Sequence, residues 1–191
     1  MAGVRQFDER VALERALDLF KERGFRATSM PELAAATGVQ RGSLYHAYGG
    51  KEEIFLCAFD AYATGFLAGA TAALGRPSRR EALLSLFDYC IATFAGGTPA
   101  HGCLSTRTAV EAATESPRAE TAVRAMLDRL EEIVCTRLAE LPETPSPLDP
   151  RAAARLVVAT TRGLAVMERA TYDADELRAI ARTLVRALLG A

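Results

Sequence analysis

The chain has 191 residues, half of them hydrophobic, which is length and apolar content for one ordinary domain or two small ones around a substantial core. Its 23 Lys and Arg stand against 24 Asp and Glu, a formal charge of −1, which excludes a histone-like basic protein and confines any nucleic-acid surface to a local face. Four scattered cysteines (Cys57, Cys90, Cys103, Cys135) without CxxC spacing, and two well-separated histidines (His46, His101), speak against a disulfide framework, a metal site, a cofactor or a Ser-His-Asp arrangement.

The opening segment predicts a helix over 7–23: Phe7, Val11, Leu13, Ala16, Leu17 and Phe20 recur at three- and four-residue steps, and Gly24 follows as a stop. Charges are interleaved through it, so it lacks the apolar run of a secretory leader. The longest charge-free runs, 61–75 and 89–106, do not read as membrane spans, the second being broken by "GGTP". A cytoplasmic protein with no membrane partner is expected. Alternating strand-type patterns bounded by turns are missing, and the fold class is all-α.

Ser29-Met-Pro-Glu32 has the form of a capping box opening a short helix, "PELAAA". Gly38 permits a left-handed turn, Val39 points inward, and a second short helix begins at Gln40, with Leu44 and Tyr48 spaced to meet the same core. Two short helices about a glycine turn make a helix-turn-helix, whose second helix presents its first residues to base edges in the DNA major groove. With Leu44 inward, Gln40, Arg41, Ser43, Tyr45 and His46 lie largely outward, and Gly42 allows close approach of the backbone. Arg suits guanine, Gln suits adenine, and Ser, Tyr and His suit phosphates. Lys51 adds a cation at the start of the next helix, where free amides also favour phosphate. The competing reading is a polar turn between core helices, with Tyr45 and Tyr48 as half-buried rings.

Lys51-Glu52-Glu53 opens a long helix to about residue 73, with acids at its positive end. Further helices follow to about 95, over 103–115, 118–140, 151–170 and 174–189, about nine in all. They are separated by "GRPS", "GGTPAHG", Ser116-Pro117, "PETPSPLDP" and "TYDAD".

The stretch "FRATSMPELAAATGVQRGSLYHAYGGKEEIF" resembles the N-terminal DNA-binding region of the TetR family of bacterial transcriptional regulators, and the helix count and length of the remainder match that family's nine-helix, dimeric pattern. The resemblance implies a three-helix head over 1–50 and a ligand-binding and dimerisation core over 51–191. It places Thr28, Ser29, Gln40, Arg41, Gly42, Ser43, Tyr45, His46 and Lys51 at the DNA face. Gly50 stands where the family has Ser, Asp or Asn, and Ala47 where a ring is frequent.

Residues 1–51 carry eight basic against six acidic side chains, a surplus of two, so one head alone binds DNA weakly and pairing is required. The last two helices, within 151–189, offer the means. One mixes Ala, Thr and Gly163 with Leu156, Val157, Leu164 and Val166; the other carries Leu177, Ile180, Leu184 and Leu188 on a stripe. They form a two-fold homodimer interface that spaces two heads on a palindromic operator, or they close the monomer core.

Between them, Phe59, Tyr62, Phe66, Phe87, Phe94 and Met126 lie on helices resembling the family's ligand-binding core. Each suits packing, and together they allow an apolar cavity for a small-molecule effector. "HGCLSTRTAVEAA" resembles the Gly-Cys-Leu turn of relatives of the N-ethylmaleimide-responsive repressor, in which a cysteine senses electrophiles. Cys103 is then a helix-start thiol, with Arg107 and His101 favouring its thiolate. The plainer role for Cys103 is a small buried hydrophobe, and "LSTR" departs from the Leu-x-Asn pattern common there. The functional expectation is a ligand-responsive homodimeric repressor of double-stranded DNA and not an enzyme. The alternative is a helical ligand-binding or scaffolding protein without DNA binding.

Overall fold

The computed structural model describes residues 7–95, 103–112, 116–141 and 148–190. Nine α-helices are found among them: α1 (Glu9–Ala27), α2 (Met30–Thr37), α3 (Arg41–Tyr48), α4 (Lys51–Ala73), α5 (Arg79–Ala95), α6 (Leu104–Ala112), α7 (Pro117–Glu140), α8 (Pro150–Arg169) and α9 (Ala174–Leu189). The described residues contain no strand, so the all-α expectation holds. Helix ends fall where the chemistry of capping puts them. Asp8, Ser29, Asp149 and Asp173 accept amides of the first turns, and Gly38, Gly49 and Gly190 end helices in the left-handed conformation.

The fold falls into two compact units: Met1–Thr64 with Arg107–Val123, and Gly65–Thr106 with Arg124–Ala191. The first is built on a row of rings. Phe20 meets Phe55 edge-on at 5.1 Å between centroids, Phe25 meets Phe55 at 5.0 Å, Phe55 lies 5.6 Å from Phe59, and Phe59 lies 5.8 Å from Tyr62. Leu33, Val39 and Leu44 close α2 and α3 onto this unit's core.

In the second unit, Leu83, Leu86, Phe87, Ile91 and Phe94 of α5 are buried, as are Val157 and Leu164 of α8 and Leu177, Val185 and Leu188 of α9. The sequence-level stripe of the last two helices is therefore divided. Val157, Leu164, Leu177 and Leu188 serve the unit's own core, Ile180 and Leu184 are half-buried, and Leu156 and Val166 remain exposed at 45% and 57%. Among the described helices only α4 is long and apolar enough to cross a membrane. Its Ile54, Phe55, Phe59, Phe66 and Ala70 are buried in protein, while Asp60 lies exposed on it.

Candidate nucleic-acid interface and the cysteine cluster

The helix-turn-helix is assembled by local chemistry. Ser29 Oγ lies 3.5 Å from the Glu32 amide, the Ser29 amide donates to the Glu32 carboxylate at 2.9 Å, and the Ser29 hydroxyl donates to it at 2.7 Å. These bonds hold the Glu32 carboxyl below its ordinary pKa, as does the nearby Arg23. The Gly38 amide closes α2 on the Ala34 carbonyl with φ at +72°, and the Thr37 hydroxyl accepts from the Val39 amide, which fixes the turn.

On α3, Leu44 is 1% exposed and anchors the helix. Gln40, Arg41, Gly42, Tyr45 and His46 are exposed, and Ser43 is half-buried. The Arg41 guanidinium lies 5.5 Å from the Tyr45 ring centroid, one turn away, so the two share a face. A Cβ on Gly42 would meet nothing within 4 Å, so packing within the protein does not demand glycine there.

Two residues expected at the DNA face are engaged elsewhere. Thr28 is 2% exposed, and its hydroxyl donates to the Gly24 carbonyl at 2.6 Å. The Lys51 ammonium donates to the Phe25 carbonyl at 2.9 Å and lies 4.4 Å over the Phe25 ring. Both belong to a cap on α1. Gly24, at φ +85°, breaks that helix and leaves its last carbonyls without helical partners. Arg107 donates to the carbonyls of Lys21 (3.5 Å), Glu22 (2.9 Å) and Arg23, and pairs with Glu111 at 2.8 Å. Glu111 in turn accepts the Arg26 amide at 3.1 Å. A Cβ at position 24 would overlap the side chains of both Arg107 and Glu111.

Arg107 was expected beside the Cys103 thiol; its guanidinium instead serves α1, and His101 lies outside the described residues. The cation at Cys103 is Arg162 of α8. Its Nη1 donates to Cys103 Sγ at 3.1 Å and to Ser105 Oγ at 2.6 Å, and its Nε and Nη2 both reach Thr161 Oγ1 at 3.2 Å. The guanidinium lies 5.9 Å from the Phe66 ring centroid and 5.7 Å from that of Phe94. Burial pushes the Cys103 thiol up, but the Arg162 charge and donors from Ser105 and Thr106 outweigh it, and the thiol titrates below its ordinary value. At Cys90 burial outweighs the pull of the same Arg162 charge, which makes no hydrogen bond to that sulfur, and pushes the thiol up to about 12.

Of the seven residues expected around an effector, Phe66, Phe94 and Cys103 thus converge on Arg162. Phe87 and Met126 are buried in the same unit, whereas Phe59 and Tyr62 belong to the ring row of the other. An open groove of about 240 Å³, walled by Leu74, Arg129, Ile133 and Arg137, involves none of the seven. Arg162, Ser105 and Thr161 escaped the sequence reading. The signal was a lone charge, Arg162, between Arg155 and Glu168 in an otherwise uncharged stretch.

Two family models match the chain. One, bacterial regulatory proteins of the tetR family, covers residues 12–58, and the other, the C-terminal domain of LmrA/YxaF-like transcriptional regulators, covers residues 80–183. The chain belongs to the TetR family.

Members of this family are transcriptional regulators rather than enzymes. Among curated TetR relatives, the transcriptional repressor ComR of Escherichia coli K12 is 28% identical over 186 residues, 94% of this chain and 88% of ComR. An uncharacterized regulator, YezE of Bacillus subtilis 168, is 31% identical over 118 residues, 61% of each chain. Among solved structures, a cysteine mutant of the TetR family regulator CifR, complexed with 26-bp double-strand operator DNA, is 26% identical with a TM-score of 0.85, covering 98% of this chain and 100% of that one. Reduced NemR of E. coli, at 19% identity and TM-score 0.85 over 95% and 96% of the two chains, shares the fold.

Proposed function

We propose that this TetR-family regulator is a homodimeric repressor of a palindromic operator, acting in the cytoplasm and released by a small apolar or electrophilic effector. Residues 1–50 carry DNA recognition, and residues 51–191 carry effector binding and dimerisation. The observation that carries the reading is the face of α3. Leu44 is buried while Gln40, Arg41, Tyr45 and His46 are exposed together behind an unobstructed Gly42. Ser29 and Ser43 supply phosphate contacts beside it, and Thr28 and Lys51 contribute through the cap on α1. ComR, a repressor, and CifR, complexed with operator DNA, support the same reading.

Pairing runs through the exposed side of α8 and α9, where Leu156, Gly163 and Val166 stand free of the unit's own core. The effector is received in the second unit among Phe66, Phe87, Phe94, Cys103 and Met126. An electrophile reacts there with Cys103, in the manner of the N-ethylmaleimide-responsive subgroup. The sulfur bonds to the polarised carbon of an activated alkene, the π pair moves to the adjacent carbonyl, and water supplies the proton. Release follows if the modified chain favours a head separation that the operator does not accept.

Selection of bound duplexes from a random pool, followed by gel shift with N-ethylmaleimide, tests the whole reading. A palindromic consensus and loss of the shift on alkylation are expected. Binding without sequence preference, or a shift indifferent to alkylation in both the parent and Cys103→Ser, removes the corresponding half.

A further inference from the structure

Arg162 presents an energetic problem that its neighbours do not solve in their neutral forms. A half-buried guanidinium is costly unless a negative charge or a full set of acceptors faces it. Among the described residues no carboxylate pairs with it; its partners are two hydroxyls, a sulfur and two ring faces. The contributors are distinct. Phe66 of α4 and Phe94 of α5 are apolar walls, Thr161 of α8 lies beside the cation, and Ser105 of α6 touches both the guanidinium and the sulfur, at 2.6 and 3.1 Å. Cys90 of α5 feels the charges of both Cys103 and Arg162, but it is fully buried and held neutral. Among the described residues, Cys103 is therefore the only partner of Arg162 able to supply a counter-charge at moderate pH.

We propose that Arg162 is the positioning residue of Cys103, holding its sulfur as the anion of a buried pair that Ser105 bridges and the Phe66 and Phe94 rings keep in register. The inference deepens the electrophile reading of Cys103, but its central test does not depend on DNA release. It gives that reading a physical consequence. Alkylation removes the negative charge and adds bulk, leaving Arg162 an unpaired cation between two rings. Arg162 stands next to Gly163 and four residues from Val166 on the exposed side of α8.

The test uses the full chain with Cys57→Ser and Cys135→Ser, in which Cys90 stays silent. The far-ultraviolet absorbance of the thiolate and the rate of N-ethylmaleimide addition are followed against pH, with Cys103→Ser subtracted. The parent titrates below the ordinary thiol range, Arg162→Gln moves the midpoint up by about one pH unit or more, and Arg162→Lys recovers part of the difference. An unchanged midpoint in a folded Arg162→Gln protein overturns the proposal.

Should Arg162→Gln not fold, Cys103→Asp is compared with Cys103→Asn. A higher Tm for Asp is expected if Arg162 needs an anion, and an equal or lower one overturns the pair. If alkylation leaves operator affinity untouched while the midpoint still depends on Arg162, the sensing reading fails and the pair stands.

Discussion

At the scale of single residues, the recognition helix and the cysteine cluster obey different rules. Arg41 is exposed and stacked on Tyr45, so its donors face solvent and replacing it disturbs little inside the protein. Arg41→Ala is therefore expected to lower operator affinity by about 1–3 kcal/mol and relax preference at one base pair while leaving Tm unchanged, as read by fluorescence anisotropy on the selected site. A loss equal on all sequences makes Arg41 a phosphate contact. Cys103 works from inside. The folded chain gives up its proton at a lower pH than the unfolded chain does, whose thiol has the ordinary value of 9.0. The thiolate's contribution thus grows as pH rises from the folded pKa toward 9.0 and is lost as pH falls through the folded pKa. Chemical denaturation in reducing buffer should show the stability gap between parent and Cys103→Ser widening over that window, by about 1.4 kcal/mol per unit of pKa depression. A gap that stays flat or narrows with rising pH contradicts it.

Among the elements, α1 shows how a helix end becomes a junction. Gly24 stops it, as the sequence pattern implied, yet the chain continues through a further turn: Arg107 takes the carbonyls just before the break, and Thr28 and Lys51 take those of Gly24 and Phe25. Residues 107–123 thereby form part of the unit that holds the helix-turn-helix. Ser116 donates to Glu52 at 2.5 Å and Arg118 pairs with Glu53, adding a second grip at the start of α4. Arg107→Ala removes charge-assisted bonds from carbonyls that have no helical partner, and a loss of about 1.5–3 kcal/mol is expected in urea unfolding. Gly24→Ala, strained at φ +85° and overlapping Glu111, should cost more than about 1 kcal/mol. A loss under half a kilocalorie in both variants would show that the cap is incidental.

For the molecule as a whole, the question is what the exposed side of α8 meets. Leu156 and Val166 are large apolar residues left out of their own unit's core, with Gly163 between them. In Leu156→Arg combined with Val166→Arg, sedimentation should detect monomers with the parent's helical content, because neither side chain supports the interior. Operator affinity should fall steeply, since a surplus of two positive charges in one head gives few phosphate contacts. Dimers that persist in the double variant place the interface elsewhere.

Nearly all of the helix plan was legible in the sequence, because the signals are local. A capping box at Ser29, a left-handed glycine at 38, a three-and-four spacing ending at Leu44 and proline-rich breaks act within a few residues. The exposure of Gln40, Arg41, Tyr45 and His46 followed from the same periodicity. Thr28 and Lys51 did not, because what a hydroxyl or ammonium bonds depends on carbonyls brought near by another segment. For the same reason Arg107 left the cysteine and Arg162, 59 residues from it along the chain, arrived. Periodicity assigns a side chain to one face of its own helix; which charge faces which across helices is decided only when the packing removes water between them.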